Sequence, residues 1–175
     1  MNKKVIFLDR DGVINQEVGY LHKIENFKFI NGIFTSLKVL QKLGYQFIVV
    51  TNQSGIGRGL YSNKDYFLLD TWMKNKFEEK GIKILYSIHC PHSPEQNCNC
   101  RKPKPGMFEK CFKLFQIAKD RSWMVGDSER DIEAAIQAGI TNNILVRSGH
   151  PISETATKAD FVIDSIKDIS QIIRS

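Results

Sequence analysis

The sequence has no long hydrophobic run. Its first apolar stretch, Val5-Ile6-Phe7-Leu8, follows Lys3-Lys4 and stops at Asp9, too short for the core of a signal peptide. No later run approaches the roughly 20 apolar residues of a membrane span. Internal repeats, low-complexity segments and linkers are also missing, so residues 1–175 read as one domain with a single core. Lys and Arg number 25 against 19 acids, a net charge of +6. They are dispersed, with no basic run and no RNA-type aromatic motif, which argues against nucleic acid. The same positive field favours phosphorylated small molecules. These absences predict a cytoplasmic protein with neither membrane nor nucleic-acid partner; a monomer is expected, though no sequence feature sets the oligomeric state.

What is present is organised around one stretch near the start. Val5-Ile6-Phe7-Leu8 runs directly into Asp9-Arg10-Asp11-Gly12. A continuous apolar run predicts a strand buried on both faces of a parallel sheet. Asp9 then lies at the carboxyl end of a central strand, where open α/β sheets bind ligands. Two acids so close repel, and Mg²⁺ with nearby cations would relieve them. A long polar stretch to about Phe29 predicts a functional loop. A helix bearing Ile33, Leu37 and Leu40 follows, stopped by Gly44. Next come a second buried strand, Phe47 to Val50, and a helix capped by Ser62 and Asp65 that runs to Lys80. A third strand is expected within residues 82–89, a helix from Met107 to about Ala118, and a strand from Ser122 to Gly126. A helix from Glu129 to Ala138, strands at 143–146 and 161–163, and a terminal helix capped by Ser165 complete the chain. Alternating strands and helices predict a doubly wound, Rossmann-like α/β fold with helices on both faces of a parallel sheet.

Asp9, Thr51 and Asp127 each follow an apolar strand, so a parallel sheet brings them to one edge. Lys102 reaches that edge from the loop after the third strand. Two acids for a divalent cation, a hydroxyl and a lysine make a phosphate site. Cys90, His92, Cys98 and Cys100 crowd into eleven residues. Three Cys and one His form a closed tetrahedral Zn²⁺ set with no place for water, which predicts a structural zinc loop over 90–106. A disulfide is disfavoured in the cytosol. Gly55-Ile56-Gly57-Arg58-Gly59 lacks the G-x-G-x-x-G spacing and reads as a flexible loop facing substrate. Arg10 reads as a solvated side chain, and His22 and His150 as surface or loop residues. His89 reads as core or edge, Cys111 as packing, and 66–77 as a core helix face. Asp131, on the first turn of a helix, suits either a cap or a supporting metal role.

Asp9-Arg10-Asp11-Gly12, Thr51-Asn52, Lys102 and Gly126-Asp127-Ser128-Glu129-Arg130-Asp131 resemble the four ordered motifs of the haloacid dehalogenase superfamily. Asp9–Asn15, Val18-Gly19-Tyr20, Thr51–Ile56, Cys100-Arg101-Lys102-Pro103 and Val146-Arg147-Ser148-Gly149 resemble one branch, the D-glycero-D-manno-heptose-1,7-bisphosphate 7-phosphatases. The resemblance implies an aspartyl-phosphate on Asp9, acid–base work by Asp11, and Mg²⁺ held by Asp9, the Asp11 carbonyl and Asp127. It implies phosphoryl binding by Thr51 and Lys102, substrate recognition by Arg101, and contacts from Arg10, Glu17, Val18, Gly19, Tyr20, Asn52, Gln53 and Ser54. It implies a phosphorylated sugar as substrate and a heptose pathway, that of lipopolysaccharide or another. Histidinol phosphate or a nucleic-acid 3′-phosphate is the alternative substrate. The gaps on either side of Thr51 are filled by elements the sheet needs, so no cap domain is expected.

Overall fold

The computed structural model describes residues 2–174. Six strands, β1 (Lys4–Leu8), β2 (Tyr45–Asn52), β3 (Ile84–Cys90), β4 (Trp123–Gly126), β5 (Asn142–Val146) and β6 (Phe161–Ile163), form one sheet in the order β3-β2-β1-β4-β5-β6. Every neighbouring pair is parallel. The strand order reverses between β1 and β4, and a crevice opens at the carboxyl ends on either side of such a reversal.

β1 shows why its sequence had to be apolar throughout. Ile6 and Leu8 point into a core layer shared with α1 (Ile33–Lys42), α3 (Asn63–Glu79) and a terminal 3-10 segment (Ile166–Gln171). Val5 and Phe7 point into the opposite layer, formed with α4 (Gly106–Leu114) and α5 (Glu129–Ala138). All four are fully buried, and each such side chain contributes about 1.5–3 kcal/mol by leaving water. Ser62 and Ser128 cap α3 and α5 through capping boxes, and Gly139 ends α5.

Some boundaries differ from the expected ones. β2 extends to Asn52, so Thr51 and Asn52 belong to the strand rather than following it. α4 ends at Leu114, not near Ala118. Phe115 turns extended, and the chain hydrogen-bonds beside β1 instead, Lys3 N to Gln116 O at 2.7 Å and Ala118 N to Lys3 O at 2.9 Å. The segment after Ser165 is a 3-10 helix. In α3, Tyr66, Leu69, Met73 and Phe77 are buried while Phe67 and Leu68 are exposed, so only one face is core. The glycine-rich segment is not a free loop: Ser54–Gly57 makes a helical turn, α2, whose Gly57 N donates to Pro91 O at 2.7 Å. Among the described residues no helix is long and apolar enough to cross a membrane, and the segments flanking Thr51 hold sheet elements rather than a cap.

Candidate active site

Asp9 leaves the end of β1 at the strand-order reversal, and Lys102 meets it there. The Lys102 ammonium lies 3.0 Å from Asp9 Oδ1, 2.7 Å from Asp131 Oδ1, and donates to Val50 O at 2.7 Å. Its backbone is fixed by a reciprocal pair with Asn52: Nδ2 donates to Lys102 O, and Lys102 N donates to Asn52 Oδ1, both at 3.1 Å. Burial opposes the charge on Lys102, but Asp131 and Asp9 outweigh it and raise its pKa, so the ammonium persists. Burial also raises the Asp9 carboxyl well above the usual range; Lys102 pulls it down, and Asp131, Asp127 and Asp11 push it further up. An acid in this position is primed for a second cation.

Asp127 shows where that cation belongs. Its Oδ2 accepts from the His150 backbone N–H at 2.9 Å and lies 2.6 Å from His150 Nδ1. Its Oδ1 is buried without any partner, a state that costs the group its full desolvation. Carboxylate oxygens of Asp9, Asp127 and Asp131 fall within 4.8 Å of one another. An oxygen donor set with an orphaned carboxylate oxygen fits a hard divalent cation such as Mg²⁺. Two glycines make room for this: a Cβ at Gly12 would strike the Asp127 carboxylate, and a Cβ at Gly126 would strike Asp131. Asp131 is thus more than a cap. It accepts from the backbone N–H groups of Asp127 and Ser128, both at 3.1 Å, and pairs with Lys102.

Around these groups opens a cavity of about 460 Å³, lined by Asp9, Asp11, Glu17, Gly19, Tyr20, Asn52, Gln53, Ser54, Arg101 and Lys102 among the residues singled out from sequence. Three of that set stand apart. Val18 is 54% exposed and lies outside the cavity. Thr51 is buried, with its hydroxyl accepting from Gln53 Nε2 at 2.8 Å. Arg10 is not solvated: it is 1% exposed, and its guanidinium lies 3.0 Å from Asp11, because the loop after Gly12 folds over it and Leu21 O accepts from it at 2.9 Å. The cavity also contains residues that sequence reasoning left out: Arg130, Tyr61 and His150. His150 follows the end of β5, a fourth strand end on the same edge, and that position was the available signal. Arg101 and Arg130 repel each other across the cavity: burial first, then Arg130, lowers the Arg101 pKa. Neither forms an ion pair among the described residues, whereas Arg58 lies 3.7 Å from Glu95.

At the rim, Cys90, His92, Cys98 and Cys100 bring their ligand atoms within 4.8 Å of one another. The sulfurs are separated by 3.0–3.5 Å, and none is disulfide-bonded. Burial works against a thiolate at Cys98, but the Arg101 N–H and the neighbouring thiols lower it to about 6. Three sulfurs and one imidazole converging this closely can bind a metal ion, and Arg101 and Lys102 follow the last ligand directly. Cys111 is buried in the α4 core layer, as packing.

A Rossmann-like sheet presenting Asp9, Asp11, Lys102 and Asp127 at its strand-order reversal is the haloacid dehalogenase class of site. Residues 99–169 match the HAD-hydrolase-like family. D-glycero-alpha-D-manno-heptose-1,7-bisphosphate 7-phosphatase of Photorhabdus laumondii is 47% identical over 97% of this chain and 96% of that protein. The beta-named enzyme of Haemophilus influenzae is 43% identical over 98% and 97%. Among solved structures, the D,D-heptose 1,7-bisphosphate phosphatase of B. bronchiseptica, complexed with magnesium and phosphate, superimposes with a TM-score of 0.83 and 29% identity over 96% of both chains. The chain belongs to the heptose-1,7-bisphosphate 7-phosphatase family of the haloacid dehalogenase superfamily.

Proposed function

We infer that this protein is a single-domain phosphomonoesterase that removes the C7 phosphate of D-glycero-D-manno-heptose 1,7-bisphosphate and leaves the 1-phosphate in place. The observation that carries the chemistry is the pairing of Asp9 with the buried Lys102 beside the orphaned oxygen of Asp127. Asp9 attacks phosphorus and becomes an aspartyl-phosphate, splitting one difficult displacement into two easier ones. Asp11 gives a proton to the departing sugar alkoxide and then takes one from the attacking water. Lys102 and backbone amides hold the phosphoryl oxygens, with the Thr51 hydroxyl beside them; Asp131 keeps Lys102 charged and in place. Asp9, the Asp11 carbonyl and Asp127 would hold Mg²⁺, which neutralises charge on the transferring phosphoryl group when bound. Cys90, His92, Cys98 and Cys100 would hold a structural Zn²⁺ that fixes the loop carrying Arg101 and Lys102.

The substrate follows from the cationic wall. Arg101 and Arg130, both without acidic partners, suit a second anionic group several ångströms from the reacting phosphate, and the names of the relatives supply the sugar. The same arrangement suits a small phosphorylated sugar rather than nucleic acid, because the acids at the cavity floor repel a polyanion. The test is phosphate release with and without EDTA from heptose 1,7-bisphosphate, histidinol phosphate and an oligonucleotide 3′-phosphate. The expected result is Mg²⁺-dependent turnover with kcat/KM highest for the heptose. A higher value for either of the others overturns the substrate assignment.

A further inference from the structure

Arg10 heads the fully buried side chains by volume, yet no step above uses it. Its guanidinium and the Gln53 amide converge on Asp11. Arg10 Nε and Nη2 donate to Asp11 Oδ1 at 3.3 and 3.0 Å, and Nη2 also donates to Oδ2 at 3.0 Å. Asn15 Nδ2 donates to Oδ1 at 2.9 Å, and Gln53 Nε2 to Oδ2 at 3.1 Å. Gln53 is locked in turn. Its Oε1 accepts from the Tyr61 hydroxyl at 2.5 Å and from Arg10 Nη2 at 3.4 Å. A Cβ at Gly55 would strike the Tyr61 ring, so the glycine-rich turn exists partly to seat that tyrosine.

Burying a guanidinium costs several kcal/mol unless it is paired, and the carboxylate it pairs with is not itself core. Asp11 keeps 16% of its side chain exposed, toward the cavity it lines. An aspartate at a cavity wall would otherwise turn about two torsions. Proton transfer requires its oxygen within hydrogen-bond reach of the reacting group, and a displacement of about 1 Å can cost about 10²-fold in rate. We propose that Arg10 and Gln53 are positioning residues for Asp11, holding its carboxyl group where it protonates the leaving alkoxide and then deprotonates water. This rests on the reading of Asp11 as acid and base given above. Donors on both oxygens hold the ionised form of Asp11, the base that takes a proton from the water attacking the aspartyl-phosphate; Asp11 keeps that proton and gives it to the sugar oxygen as the P–O bond breaks in the next turnover.

The experiment compares wild type with Gln53→Met and Arg10→Met on two substrates: heptose 1,7-bisphosphate, whose alkoxide needs a proton, and p-nitrophenyl phosphate, whose leaving group does not. Because kcat/KM reports only steps up to aspartyl-phosphate formation, the ratio of the two values isolates proton donation. The expected result is about a tenfold fall in the heptose-to-aryl ratio of kcat/KM for Gln53→Met, with Mg²⁺ affinity by calorimetry unchanged within about twofold. If Arg10→Met fails to fold, Gln53→Met decides alone. Equal losses on both substrates overturn the proposal and assign Gln53 to the reacting phosphate through Thr51. An unchanged ratio overturns it too. Failure of wild type to prefer the heptose sinks the substrate assignment instead, and the ratio is then taken on its best alkyl phosphate.

Discussion

Asp9 carries a charge that its surroundings oppose. Burial and three neighbouring acids raise its pKa, and Lys102 alone among the causes named counters them. Asp9→Asn should therefore lower kcat by about 10⁴-fold or more, as loss of a nucleophile does, while the metal-free Tm holds or rises. A variant retaining a few per cent of turnover would exclude Asp9 as nucleophile. At this scale the meeting of Asp9, Lys102 and Asp127 was legible, because strand ends bring carboxylates and lysines to one edge of the sheet in a recognisable order. Arg10 was not. Nothing local distinguishes an arginine that folds back on the next residue from one that extends into water; the loop from Val13 to Leu21 that closes over it is a tertiary fact. His150 follows a strand end and could have been placed at this edge, but its contact with Asp127, 23 residues away, is a tertiary fact as well.

The cysteine loop and α2 act as one element. Gly57 N donates to Pro91 O at 2.7 Å, and Arg101 donates to His92 O at 3.4 Å, so whatever orders the loop also orders the cationic wall. The purified protein should contain about one zinc per chain by elemental analysis, as four ligands imply. Removing it with a strong chelator should lower Tm and raise KM for the bisphosphate more than for an aryl phosphate. Zinc-free protein of full Tm and unchanged KM would show the loop to be self-supporting.

β3 makes a different prediction, one of pH. His89 stacks on Tyr66 at 3.9 Å, lies 2.8 Å from Asn63 Oδ1 at the start of α3, and is pushed down to about 4 by burial. An imidazole whose folded pKa lies below its unfolded value of about 6.5 binds fewer protons when folded. Its contribution is complete above that pH and lost as pH falls toward 4. With allowance for its half-exposed position it contributes roughly 1 kcal/mol, or about 2–4 °C in Tm. His89→Gln should lose correspondingly less Tm than wild type between pH 7 and 4.5 in thermal denaturation. Identical losses would assign the acid sensitivity elsewhere. Elements of this kind were legible where period and caps agreed, as in α5, whose limits match those expected. They were illegible where a strand edge competed with the helix, as at Phe115.

Across the whole molecule, the sheet gathers acids from β1 and from the β4–α5 junction into one repelling cluster. Ligands that bind only the folded state stabilise it by mass action, about 2.7 kcal/mol at a hundredfold excess over Kd. Saturating Mg²⁺ should accordingly raise Tm by about 5 °C or more, and Asp127→Asn should abolish most of that rise in a thermal-shift assay. A full shift in the variant would move the cation away from Asp127. The sheet order itself was readable only as a class, because strands that alternate with helices imply parallel pairing without saying which neighbour lies where.

The place of β1 between β2 and β4 has a consequence for the growing chain. Val5 donates to Ser122, 117 residues later, and β4 pairs along Ile6 to Leu8. While the first hundred residues emerge from the ribosome, a strand buried on both faces in the finished fold has one edge filled and the other bare, the condition in which strands recruit other chains. Pairing of such long sequence separation is also slow to find. The nascent chain should consequently be prone to association until Trp123–Gly126 docks. Chains stalled before that point should precipitate or engage chaperones, and those released beyond β6 should not.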